Sequence, residues 1–220
     1  MIREVEMLAQ SIAELKEFYV DSLGLALITE NSTSFSVKVG ESSLSFTESG
    51  QSAQPFYHFA FNIPENQIGE AVRWITPKAA IIPDQGKQVV YFKAWNAESI
   101  YFHDPAGNLV ELIARHHLNN STDQLFSQAS LLCVSEIGLP VPDVDNALLE
   151  LSHAGILPWQ DYNSSFAAAG DEQGLLIVVK EGRVWFMSDQ EAFPHTLTVQ
   201  TDVCEVTLDP WNGMKVSAKR

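Results

Sequence analysis

Basic residues are scarce in this chain. Its 220 residues hold 13 Lys and Arg against 28 Asp and Glu, a formal net charge of −15. So acidic a protein repels phosphate backbones, which argues against nucleic acid as a general partner and favours cations. Cysteine is scarcer still: Cys133 and Cys204 are the only two. Two thiols cannot scaffold a chain of this length, and their separation is not that of a zinc knuckle. Long apolar runs are missing too. The longest strongly apolar stretch, Leu175 to Val179, falls far short of the ~20 residues that span a bilayer. The first ten residues carry acids early and lack the apolar core of a secretion signal. These absences predict a soluble cytoplasmic protein without a membrane or nucleic-acid partner. What is present is ordinary: a hydrophobic fraction of 45% is enough for a packed core and excludes a disordered or collagen-like chain.

The chain repeats itself loosely. Ile2 to Ala9 alternates as a strand, with Val5 and Met7 on one face and Glu4 and Glu6 on the other. Ser11 with Glu14 reads as a capping box, Ile12, Leu15, Phe18 and Tyr19 as a helical apolar stripe, and Gly24 as its stop. Three candidate strands follow, giving one β-α-β-β-β unit. A second unit begins at Phe56–Ile63, where Tyr57, Phe59, Phe61 and Ile63 oppose His58, Ala60 and Asn62. It continues through a helix over Glu65–Ile75 to strands at Val89–Trp95, Ser99–His103 and Leu109–Ala114. Residues 117–132 read as a polar connector. The first pattern returns at Val134–Val141, followed by a helix capped by Asp143 and strands at Phe166–Ala169, Gly174–Lys180 and Arg183–Met187. A fourth unit starts near Pro194 and is truncated, ending in two strands around Asp209-Pro-Trp-Asn-Gly213.

The segment Ser99-Ile-Tyr-Phe-His-Asp-Pro-Ala-Gly-Asn-Leu-Val-Glu-Leu112 resembles the signature of the vicinal oxygen chelate superfamily. That group includes glyoxalase I, extradiol ring-cleavage dioxygenases, fosfomycin-resistance enzymes and bleomycin-binding proteins. Phe18-Tyr19, Leu23-Gly24-Leu25 and Tyr57-His-Phe-Ala-Phe61 extend the likeness. It covers residues 1–116 well and 133–190 more weakly. The resemblance implies an α+β fold of tandem βαβββ modules whose curved mixed sheets form a cup. It implies that residues 1–116 pair two modules as an intact domain, and that 133–220 hold a third module and a truncated fourth. It further implies a divalent metal (iron, manganese, zinc or nickel) in the cup, held by first-strand and last-strand residues. Those positions fall on Glu4, Ser45, His58 and Glu111. Ring-cleaving members also have an active-site tyrosine at the spacing of Tyr101.

Alternation agrees on direction. His58, Glu111 and Glu4 each stand opposite the apolar face of their strand. One imidazole and two carboxylates suit iron(II), manganese(II) or zinc(II). Glu136 repeats Glu4 in the second half, but the position matching Glu111 falls near Val178. His195 shares the parity of Leu197 and Val199, which points it to an apolar face. His116 and His117 lie in the connector region, and Lys93 and Trp95 are candidates for a cup mouth. Three functions fit: a metalloenzyme acting on a small molecule with adjacent oxygens, a metal-free binder of the bleomycin-sequestering type, and a module that dimerises through its sheets. The first is the leading expectation.

Overall fold

The structure is a computed structural model, and it describes residues 1–50 and 54–219. Four units are visible. The first comprises β1 (Ile2–Ala9), a short helix α1 (Ala13–Lys16) that runs on as a π-helical turn to Ser22, and β2 (Leu27–Glu30), β3 (Ser34–Val39) and β4 (Ser42–Glu48). The second comprises β5 (His58–Ile63), α2 (Ile68–Ile75), β6 (Ile81–Ile82), β7 (Val90–Phe92), β8 (Ala97–His103) and β9 (Leu109–Arg115). The third comprises β10 (Cys133–Val141), α3 (Val144–His153), β11 (Phe166–Asp171) and β12 (Gly174–Lys180). The last is a helix-less meander of β13 (Leu197–Thr201), β14 (Cys204–Asp209) and β15 (Gly213–Ala218).

The units combine into two mixed sheets, in the α+β architecture that the sequence predicts. One sheet runs β15-β14-β13-β1-β4-β3-β2, the other β11-β12-β10-β5-β9-β8-β6, with β7 beside β8. The pairing corrects one expectation. Residues 1–116 do not share a sheet. Unit one joins the last unit through antiparallel β1 and β13, and unit two joins unit three through antiparallel β5 and β10. The physical reason is an edge requirement. Each first strand needs a partner for its second row of backbone groups, and the chain supplies β13 and β10 for that purpose.

Period-two alternation then sorts the side chains. Val5, Met7 and Phe46 from the first sheet join Phe59, Phe61, Leu112 and Val178 from the second in one continuous core. Every residue of β5 and β9 is buried, because their second face is covered as well. A separate aromatic cluster fills that side: Tyr101, Leu109, Ile177 and Trp185, with Phe92, Trp95 and Phe166 packed against it.

Two local expectations change. The Ser11 capping box does not form; Ile12 occupies the N-cap without a side-chain bond. Residues 183–187 are not a strand. Instead 181–193 folds as an irregular flap, closed by the Val184–Glu191 bridge and by backbone bonds from Gly182 to Ala192 and from Trp185 to Gln190. Asp143 does cap α3, accepting from the Asn146 amide at 3.0 Å. The Asp104–Asn108 turn is fixed from within. Asp104 accepts from the Ala106 and Asn108 amides and from the Tyr19 hydroxyl at 2.9 Å. No helix among the described residues is long and apolar enough to cross a membrane.

Candidate metal centre and aromatic cup

His58 and Glu111 meet because β5 and β9 pair in parallel, with His58 beside Leu109 and Ala60 beside Glu111. The second-sheet junction adds Glu136, which sits opposite Ala60 across β5 and β10. Ligand atoms of His58, Glu111 and Glu136 all lie within 4.8 Å of one another, and all three side chains are buried. This is the only such cluster found among the described residues. Glu4 is not part of it. It lies in the other sheet, half-buried, paired with Ser43 and Gln200. Ser45 pairs with Glu6 there, also away from the cluster. The third member of the cluster is thus Glu136, the repeat of Glu4, because unit three rather than unit one completes this sheet.

The protonation states follow from the surroundings. His58 Nδ1 lies 3.1 Å from the Leu109 carbonyl, so that nitrogen carries the proton and Nε2 is left with a free lone pair. Burial lowers the His58 pKa to about 4, which keeps the ring neutral at pH 7. Burial, reinforced by Glu136, pushes the Glu111 carboxyl well above its ordinary range. The 3.7 Å approach of His58 Nε2 to Glu111 is therefore a contact between neutral groups, not an ion pair. Glu136 differs. Burial raises it too, but Arg115 opposes that effect by pairing with it. Arg115 is itself fully buried. Its Nε donates to Asn62 Oδ1 at 3.1 Å, and its guanidinium lies 5.4 Å from the Trp95 ring and 5.8 Å from Trp159. Glu136 is thus the carboxylate with a cationic partner, and Glu111 is the one without.

A divalent metal fits this set. A neutral imidazole with an exposed lone pair and two carboxylates, one lacking a cationic partner, is an oxygen-rich donor set for iron(II), manganese(II) or zinc(II). With both carboxyls deprotonated, as metal binding would require, they would bring two negative charges and Arg115 would return one. A divalent ion would turn the remaining deficit into a modest positive charge, suited to an anionic oxygen ligand. The corner that matches Glu111 in unit three is apolar. Ile177, opposite Gly138, faces the cavity, while Val178 points into the main core.

The cluster opens on a cavity of about 320 Å³. Besides the three polar residues it is lined by Phe92, Trp95, Tyr101, Phe166, Ile177, Arg183, Trp185 and Phe186. Tyr101 pairs with Glu111 across β8 and β9, and burial, then Glu111 and Glu136, hold its phenol protonated. The Trp185 ring lies 5.1 Å from that of His58, tilted by 52°. Gly138 makes room for it: a Cβ there would lie 2.5 Å from the indole. Arg183, Trp185 and Phe186 come from the 181–193 flap and were not legible as site residues. Adjacent Trp and Phe within a supposed alternating strand were the available signal.

The remaining histidines stand apart. His195 packs edge-on against Tyr57 at 5.8 Å, whose hydroxyl donates to the Thr196 carbonyl. His103 is exposed, with Nδ1 3.1 Å from the Gly107 carbonyl. His116 and His117 approach Glu98 and Glu172 at 3.3 and 3.4 Å. Trp95 reaches the cavity but Lys93 is exposed outside its lining.

No family model matches the chain, and no curated protein is similar to it in sequence. Solved structures are similar. A putative dioxygenase from Bacillus subtilis subsp. subtilis str. 168 aligns over 99% of this chain and 84% of its own, at 13% identity and a TM-score of 0.64. A glyoxalase I mutant from Zea mays aligns over 100% of this chain and 92% of its own, at 14% identity and a TM-score of 0.59. A lactoylglutathione lyase from Agrobacterium tumefaciens aligns with 51% of this chain and 92% of its own, at 19% identity and a TM-score of 0.43. The two full-length likenesses show that the chain shares the fold of these dioxygenase and glyoxalase structures.

Proposed function

We propose that the protein is a metal-dependent enzyme acting on a small molecule with two adjacent oxygens. The observation that carries this reading is the convergence of His58, Glu111 and Glu136 in an aromatic-lined cavity. Pairing of a lone-pair imidazole with two buried carboxylates has little structural purpose by itself, since buried acids without cations cost stability. A bound divalent ion would supply Lewis acidity to polarise the substrate oxygens. The chain's own groups do the rest. His58, Glu111 and Glu136 would hold the ion, and Arg115, paired with Glu136, positions that carboxylate. Tyr101, kept protonated, donates a hydrogen bond to a substrate oxygen. Phe92, Trp95, Trp185 and Phe186 exclude water and hold a flat substrate by stacking. The ring-cleavage-dioxygenase type of chemistry suits the aromatic lining better than the glyoxalase type does.

Metal content by elemental analysis, on untagged protein reconstituted under anaerobic conditions, tests the reading. Near one equivalent of metal, lost in His58→Ala, is the expected result. Oxygen uptake with a panel of catechols then distinguishes ring cleavage from proton transfer. No bound metal after reconstitution would sink the enzyme reading and leave a binding cup.

A further inference from the structure

The flap over the cup carries a cation without an acid. Arg183 lines the cavity, half-buried, with its guanidinium 5.0 Å from the Phe166 ring. It forms no ion pair among the described residues, although acids outnumber bases by 28 to 13 in the chain. Its backbone is pinned on both sides, with its amide donating to the Lys180 carbonyl and its carbonyl accepting from the Ala192 amide at 2.8 Å. Burial disfavours its charge and pulls its pKa down. A guanidinium in this position gains most from an anion that enters the cavity and accepts its forked donors. The triad below cannot be that anion, since neither Glu111 nor Glu136 pairs with it and Glu136 is already held by Arg115.

We infer that the substrate of this cup is a flat aromatic ring bearing an anionic substituent, a carboxylate or a group of similar charge and size, and that Arg183 reads it. The inference rests on the metal-enzyme reading for the end of the ring that carries adjacent oxygens. It stands on separate residues for the other end. Phe92, Trp95, Phe166, Trp185 and Phe186 supply faces for the ring, and the cavity's volume of about 320 Å³ is of single-ring scale. Arg183 is then a specificity-determining residue.

The test is calorimetric binding of a matched pair at pH 7, 3,4-dihydroxybenzoate against 3,4-dihydroxybenzyl alcohol. The full-length chain is used with and without zinc, alongside Arg183→Gln, Arg183→Lys and Glu111→Gln. The expected result is at least tenfold tighter binding of the carboxylate by the wild type. Arg183→Gln should erase that preference by weakening the carboxylate far more than the alcohol, and Arg183→Lys should keep part of it. Equal affinities, a preference that survives Arg183→Gln, or binding of neither probe would overturn the inference. A preference that persists in Glu111→Gln and in a chain that takes up no zinc would uphold Arg183 and sink the metal reading. Zinc uptake without a preference would do the reverse.

Discussion

The two sheets are built alike and end up differently. Each joins two units through antiparallel first strands, and each places a glutamate on the first strand of one unit, Glu4 in one and Glu136 in the other. Around Glu4 the neighbours are Ser43, Gln200 and the exposed Glu6, whose pKa is raised by partial burial, Glu4 and Glu205. Around Glu136 they are Arg115, His58 and Glu111 under a roof of indoles. The difference is cover. A meander without a helix completes the first sheet and leaves that face wet, whereas the 181–193 flap and the Trp95–Trp159 pair partly cover the second. The same carboxylate is a surface charge in one setting and a candidate ligand in the other.

The comparison breaks most sharply on metal affinity. Glu111→Gln and Glu136→Gln should each weaken zinc or manganese binding by about 100-fold or more, whereas Glu4→Gln should leave it within about twofold, as read by calorimetric titration. Next in size is the charge under the roof. Arg115→Met leaves Glu136 buried without its cation and should cost about 3–5 kcal/mol in urea unfolding. Adding Glu136→Gln should recover much of that loss, a coupling that an exposed pair would not show.

The histidine gives a pH signature of smaller size. Its folded pKa of about 4 lies below its unfolded value of 6.5, so the unfolded chain takes up the proton first. Stability from this group is present above pH 6.5 and is lost as pH falls toward 4, by roughly 3 kcal/mol. Glu111 is shifted upward and acts in the opposite sense, so the metal-free Glu111→Gln variant isolates the imidazole. Chemical unfolding between pH 7 and 4 should show the loss in that variant and not in His58→Asn/Glu111→Gln. Smallest of all, Glu6→Gln on the wet face should change stability by under ~0.5 kcal/mol.

Much of the architecture was legible because alternation reports faces directly. The helix-side residues Phe59, Phe61 and Leu112, and the opposite-side residues His58 and Glu111, followed from period two alone. Partner choice did not follow. β1 and β5 offer similar backbone edges, and nothing in their side-chain pattern distinguishes β13 or β10 from each other as partners. That is why Glu4 was grouped with His58 although Glu136 is the residue that arrives. Arg115 was invisible for another reason. A long basic side chain at a strand end reads as solvent-exposed, and only the two tryptophans packed beside it reveal a buried cation. The flap escaped notice because an irregular segment has no period to detect.

Anomalous diffraction from crystals of the manganese-loaded or zinc-loaded protein tests the central claim most directly. One peak should appear in the second sheet's cup, within about 2.0–2.3 Å of His58 Nε2 and of carboxylate oxygens from Glu111 and Glu136. A peak coordinated by Glu4 on the open face, or a cup that stays empty beside an ordered Arg115–Glu136 pair, would contradict the account.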